Sequence, residues 1–221
     1  MTALSPSPDA ATHPSRHNAW LLLPVGLALL VSGWQPYDRA TWWLEVAPVL
    51  VAAPLLMATH RRFPLTPLLA TLIAVHALIL IYGGAYTYAR VPLGYWMQSL
   101  WDGSRNPYDR IGHLAQGFVP ALIAREILVR RGLRAGPWLL GFLCLCVAEA
   151  ISAWYELIEW GAAVALQQGA DAFLGSQGDP WDTQEDMACA GLGALLALTL
   201  LRRWHDRQLM SIKATSPLRA G

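Results

Sequence analysis

Two stretches of the chain open in the same way: Asn106-Pro107-Tyr108-Asp109-Arg110-Ile111-Gly112-His113 and Asp179-Pro180-Trp181-Asp182-Thr183-Gln184-Glu185-Asp186. Each runs polar residue, proline, aromatic, aspartate, three residues, then histidine or aspartate. Asn or Asp before Pro suits a helix start, because the side chain caps free N–H groups and proline tolerates the first helical position. Capping accounts for Asn106 and Asp179 but not for the second polar residue of each pair. His113 and Asp186 lie four residues beyond Asp109 and Asp182, one turn deeper on the same helix face. A third stretch carries Glu149, Ser152, Glu156 and Glu159 at offsets of 0, 3, 7 and 10. At about 100° per residue these fall within an arc of roughly 80°. Carboxylates joined by an imidazole suit a divalent metal ion, with Zn, Mn, Mg or Fe all compatible with these ligand types. Asp109, His113, Asp182, Asp186 and Glu149 are therefore the candidate metal ligands, with Glu156 and Glu159 as candidate catalytic bases. Arg105 and Arg110, close to the first helix start, match an anionic head group through their guanidinium forks. Tyr86 and Tyr88, earlier in the same segment, are the other substrate-binding candidates.

The surrounding sequence is that of a membrane protein. Of 221 residues, 55% are hydrophobic and 14% charged, and the mean hydropathy is +0.34. That is about half the charge of a typical soluble domain, which excludes an ordinary soluble enzyme. Spans of roughly 20 residues suffice to cross a bilayer, and apolar runs are predicted at 19–34, 41–59, 65–85, 109–129, 136–166 and 181–201. The expectation is an all-α polytopic membrane helix bundle of about six transmembrane helices. Residues 1–18, rich in Ser, Pro and Ala, read as a flexible cytoplasmic tail, 19–204 as the transmembrane domain, and 205–221 as a second flexible cytoplasmic tail. The first apolar run reads as an uncleaved helix, with a signal-peptide core as the alternative. A net charge of +1 offers no basic patch for nucleic acid. Cys144, Cys146 and Cys189 lack CxxC spacing, so neither thiolate zinc nor a disulfide framework is expected.

Charge sets the orientation, since cytoplasmic loops collect Lys and Arg. Twelve of the 16 bases fall on one side of this topology, leaving Arg39, Arg90, Arg105 and Arg110 opposite, so both termini are expected inside. The acids run the other way: Asp9, Glu126 and Asp206 alone lie inside. Acids hardly influence orientation, so an acidic outer face is separate information. The three glutamates of the fifth span point to a bundle interior or a cavity, because an ionised acid in hydrocarbon costs several kcal/mol. His76 of the third span has no acidic neighbour in sequence and reads as a structural histidine. The outer loop from Tyr86 to Tyr108 is too long for a plain hairpin, and its apolar patch, Val91 to Trp101, suits a segment that lies on the membrane surface or dips into it.

Four segments carry a family likeness: YTYARVPLG (Tyr86 to Gly94), NPYDRIGHLAQG (Asn106 to Gly117), WYELIEW (Trp154 to Trp160) and QGDPWDTQEDM (Gln177 to Met187). Across roughly residues 65–200 the chain resembles the bacterial inner-membrane YjdF family, which implies an inner-membrane location and brings no activity. The Asp-x3-His helix head, the membrane glutamate and the Asp-rich helix leading into a Gly-Ala run are similar, more loosely, to VanZ-like membrane proteins.

Three function classes fit these residues. The first is a metal-dependent hydrolase or transferase acting on a lipid or lipid-linked substrate at the outer leaflet. The second is a proton- or cation-coupled transporter using Glu149, Glu156 and Asp186. One-sided clustering of the polar groups, with no inverted repeat, weighs against it. The third is a metal-stabilised membrane scaffold.

Overall fold

Proline, aspartate and threonine mark where the chain turns from loop into helix, and the structure, a computed structural model, follows them. It describes residues 20–100, 103–166 and 177–215; among these the fold is all-helical, with eight helices and no strand. The helices are α1 (Leu22–Trp34), α2 (Arg39–Thr59), α3 (Pro67–Tyr86), α4 (Pro92–Leu100), α5 (Tyr108–Arg130), α6 (Pro137–Leu166), α7 (Asp182–Leu200) and α8 (Arg202–Thr215). Asp38 caps α2 by accepting from the Thr41 N–H at 2.7 Å. Thr66 caps α3, with Pro67 in the first turn. The predicted tail 1–18 lies outside the described residues.

Three helices, α2, α3 and α6, are each long and apolar enough to cross a membrane. The bent pair α7 and α8, turned by 63° at Leu201, passes only when taken together. α1 is apolar but has 13 residues. α5 has the length, at 23 residues, but buries Asp109, His113, Gln116, Arg125 and Glu126. It is the central helix, packed against α7, α6 and α3. Glycine makes its contact with α7 close: a Cβ on Gly117 would overlap the Ala190 carbonyl, and one on Gly193 the Leu114 carbonyl. Small residues of this kind let membrane helices approach backbone to backbone.

At one end of α5 a buried polar network ties three elements together. Glu126 accepts from the Thr66 N–H (3.1 Å) and hydroxyl (2.7 Å), from Arg130 (2.9 Å) and from His205 Nε2 (3.0 Å). His205 Nδ1 faces Arg125 at 3.3 Å; a guanidinium only donates, so Nδ1 accepts and Nε2 carries the proton. Gln208 Oε1 accepts from the Leu68 N–H at 2.9 Å. Residues 205–215, expected to open a flexible tail, are therefore helix, with His205 and Leu209 buried against the bundle. The hydrophilic composition of this segment concealed its docking, which runs through polar partners rather than an apolar stripe.

The loop between α3 and α5 folds back over the opposite end. Thr87 and Tyr88 take left-handed φ values of 59° and 49°, and the Tyr88 N–H donates to Gly83. The Tyr88 ring lies where Cβ atoms on Gly83 and Gly112 would be, so both positions need glycine. The apolar patch 91–101 forms α4 over residues 92–100, with Leu93, Tyr95, Trp96 and Leu100 exposed.

Candidate metal centre

Asp109 lies in the first turn of α5, His113 one turn on, and Asp186 one turn into α7. The tight α5–α7 contact brings them together: one ligand atom from each lies within 4.8 Å of the other two, and all three residues are buried. His113 Nε2 is 3.6 Å from Asp109 Oδ1 and 3.8 Å from Asp186 Oδ2, while Nδ1 is 3.6 Å from Glu156 Oε1. These separations are too long for hydrogen bonds. Asp186 Oδ1, His113 Nδ1 and Glu156 Oε1 are buried without a hydrogen-bond partner. Buried polar atoms are normally paired, so each calls for an explanation.

The other expected ligands stand apart from this trio. Asp182 is committed to Arg105 at 2.5 Å, and Arg105 also reaches Asp179 (3.2 Å) and Asp109 (3.7 Å). Arg110 pairs with Asp179 at 3.4 Å and with Glu185. The two arginines thus lace the starts of α5 and α7 together. Glu149 lies along α6 with its carboxylate against Gly191, where a Cβ would overlap it. Helical spacing placed it on the right face but too far from the α5 and α7 starts.

Asn106 and Asp179 sit just before the caps rather than at them, since the cap positions are Pro107 and Trp181. Asn106 Oδ1 accepts from the Tyr108 N–H at 3.1 Å and Asp179 Oδ1 from the Trp181 N–H at 2.9 Å, each an Asx turn leading into its helix. The Trp181 N–H, with Arg105 and Arg110 beside it, holds the Asp179 carboxyl below the usual aspartate range.

A cavity of about 210 Å³ opens beside the trio. Asp109, His113, Tyr88, Glu45, Tyr155 and Glu159 line its polar end, and Pro48, Ile73, Leu80 and Ile123 its apolar remainder. The Tyr155 hydroxyl donates to Glu45 at 3.1 Å. Glu156 and Glu159 thus diverge, one facing the imidazole and the other the cavity. Tyr88 lines this space, whereas Tyr86 is partly exposed and stacks edge-on against Tyr82 outside the lining. His76 also reaches the cavity, with Nε2 buried and unpartnered. Glu45 and Tyr155 escaped the sequence reading. Glu45 is the only charge between Thr41 and Thr59, and the cost of an intramembrane acid was signal enough to single it out.

Residues 17–207 match the model of a family described as predicted membrane protein (DUF2238). The chain belongs to this family. It is 58% identical over 187 residues to inner membrane protein YjdF of Escherichia coli (strain K12), covering 85% of this chain and 90% of that relative. The four segments that carried the family likeness all lie within the matched region. No solved structure matches the chain.

Proposed function

We propose that this chain is a multi-pass protein of the bacterial inner membrane, with six crossings and both termini cytoplasmic. We propose further that it is a metal-dependent hydrolase or transferase acting on a lipid or lipid-linked substrate from the outer leaflet. For the orientation, Arg61 and Arg62 follow α2, and Arg130, Arg131 and Arg134 lie at and beyond the end of α5 that is bonded to α8, itself carrying Arg202, Arg203 and Arg207.

The observation that carries the metal reading is the buried trio Asp109, His113 and Asp186, with one possible ligand atom from each within 4.8 Å of the others. Two carboxylates and an imidazole fit Zn, Mn, Fe or Mg, and three protein ligands leave a position for water or substrate. Such a cation would supply Lewis acidity and a lowered water pKa. The chain's own groups do the rest. Glu156 beside His113 Nδ1 is placed to fix the imidazole so that Nε2 points at the aspartates. Glu159 faces the cavity as the group that accepts and returns a proton at its carboxylate, and Arg105 holds Asp109 and Asp182 in place.

The test is elemental analysis of detergent-purified protein. Wild type and Asp182→Ala should hold about one equivalent of metal, whereas His113→Ala and Asp186→Asn should lose it while staying monodisperse. Well-folded wild type that stays metal-free after add-back would overturn the proposal and leave a proton-coupled carrier as the better account. Wild type that holds its metal but hydrolyses no member of a phospholipid panel would reduce the ion to a scaffold role, and a Glu159→Gln variant that matches an active wild type would remove Glu159 as the proton-transfer group.

A further inference from the structure

We infer that a crevice running along α2, from the candidate metal centre to the far end of the bundle, holds the hydrocarbon tail of a phosphate-headed amphiphile. A second cavity, of about 430 Å³, lies between α1, α2 and α3. Val49, Ala52, Ile73 and Ala77 line it and line the metal-centre cavity too, so the two spaces adjoin at these four residues. On α2 the lining residues run from Glu45 through Pro48, Val49, Ala52, Ala53, Leu56 and Met57 to His60, at alternating steps of three and one. They form a single helix face, and on that ground we take the two adjoining spaces as one groove. From Glu45 to His60 it extends roughly 22 Å at 1.5 Å per residue.

The lining is graded. Acids, histidine and tyrosine crowd the metal-centre end, the shared neck is Val, Ala and Ile, and beyond it His60 is the only ionisable group among the described lining residues. Apolar cavities stay dry, so in a bilayer the natural filler of this groove is hydrocarbon. One leaflet's chains reach roughly 15 Å, half of the ~30 Å core. A groove of roughly 22 Å therefore accommodates a tail extending past the bilayer midplane. Small side chains hold the neck open: Ala52 on α2 and Ala77 on α3. The phosphate rests on the metal reading proposed above, because the acidic end attracts an anionic head only through a bound cation. The tail does not depend on it.

Acyl and polyprenyl phosphates share this chemistry, and a binding experiment separates them. Full-length protein in detergent is mixed with dioleoyl phosphatidic acid or with a long-chain polyprenyl phosphate, and retained probe is read by native mass spectrometry. Wild type and Val51→Trp, which alters the outward face of α2, should retain a probe. Ala52→Trp and Ala77→Trp should retain about tenfold less, the equivalent of roughly two methylenes removed from apolar contact, with unchanged metal content. Preference for one probe assigns the tail class. No retention of either probe by wild type, or equal retention in monodisperse Ala52→Trp and Ala77→Trp, would overturn the inference. Should those variants not fold, a diazirine at the tail terminus reads the wild type directly: labelling of Leu56, Met57 or Phe63 supports the groove, and labelling confined to outward Val51 and Leu55 refutes it. A tail that binds and is blocked by tryptophan in a metal-free protein would leave the crevice standing and remove the metal centre.

Discussion

Replacing Gly117 by alanine adds one methyl group where α5 meets α7, and the structure fixes the sign of the effect. Alanine is the better helix former by about 1 kcal/mol, so a glycine facing open space gains from the change. Gly141 and Gly161 on α6 are such positions, with nothing within 4 Å of where the methyl group would sit. At Gly117 the new Cβ would overlap the Ala190 carbonyl, a backbone group that cannot rotate away. The helices must separate, and overpacking of this kind costs about 1–3 kcal/mol. After the propensity gain, Gly117→Ala should lose up to about 2 kcal/mol while Gly141→Ala and Gly161→Ala gain up to about 1. For a chain of this size the two classes should differ in melting temperature by on the order of 5–10 °C. Gly193→Ala, against the Leu114 carbonyl, belongs with Gly117→Ala. His113 precedes Gly117 by one turn and Asp186 precedes Ala190 by one turn, so separating the helices also pulls the metal ligands apart. Thermal melts in detergent, paired with metal titration, read both effects. A Gly117→Ala protein that melts at or above wild type with unchanged metal affinity would refute the close-packing account of the site.

Glu126→Ala removes the acceptor shared by Thr66, Arg130 and His205; breaking a buried charge network should cost at least about 3 kcal/mol, while metal binding by the folded fraction stays at the wild-type level in a titration. Asp38→Ala should cost about 1 kcal/mol at neutral pH through loss of the α2 cap. The Thr41 N–H holds the Asp38 carboxyl below the ordinary aspartate value of ~3.9. The cap is thus fully present above that value and is lost as pH falls through the depressed folded value, so melts of Asp38→Ala and wild type should converge only in strong acid. Arg105→Met leaves Asp109, Asp179 and Asp182 without their shared cation; yields should fall steeply, and adding Asp182→Asn should restore part of the loss in a double-mutant cycle.

Helix positions were legible because hydropathy and helix-start chemistry agree: the starts of α2, α3, α5 and α7 fall within three residues of where the apolar runs begin. The α5–α7 trio was legible in part. Spacing of four put Asp109 and His113 on one face, but the same logic applied equally to Asp182 and Asp186, and sequence could not show that Arg105 claims Asp182. Pairing across helices depends on rotation about each axis, which Gly117 and Gly193 set through backbone contact. Glu45 belongs to the site through the α2 face alone, and its local sequence offers no partner. The docking of α8 was hidden for a related reason: His205 and Gln208 find their partners on α5 and α3, far away in the chain.

The two ends of α5 use the same residue types to opposite purposes, and the difference separates scaffold from site. At one end Glu126 and His205 are fully buried, with hydrogen bonds of 2.7–3.1 Å around Glu126. The polar atoms of this pair are spent on holding α3, α5 and α8 together, and nothing of them remains to bind a ligand. At the other end Asp109, His113, Asp186 and Glu156 are set back at 3.6–3.8 Å, beyond hydrogen-bond length, with buried atoms unpartnered. Leaving one buried polar atom unsatisfied costs about 1–3 kcal/mol, and a fold able to satisfy Glu126 so completely has the means to avoid that cost. That the chain instead surrounds these groups with the ordered helix starts of Asn106 and Asp179, braced by Arg105 and Arg110, is the physical reason for placing chemistry at this end of the bundle and structure at the other.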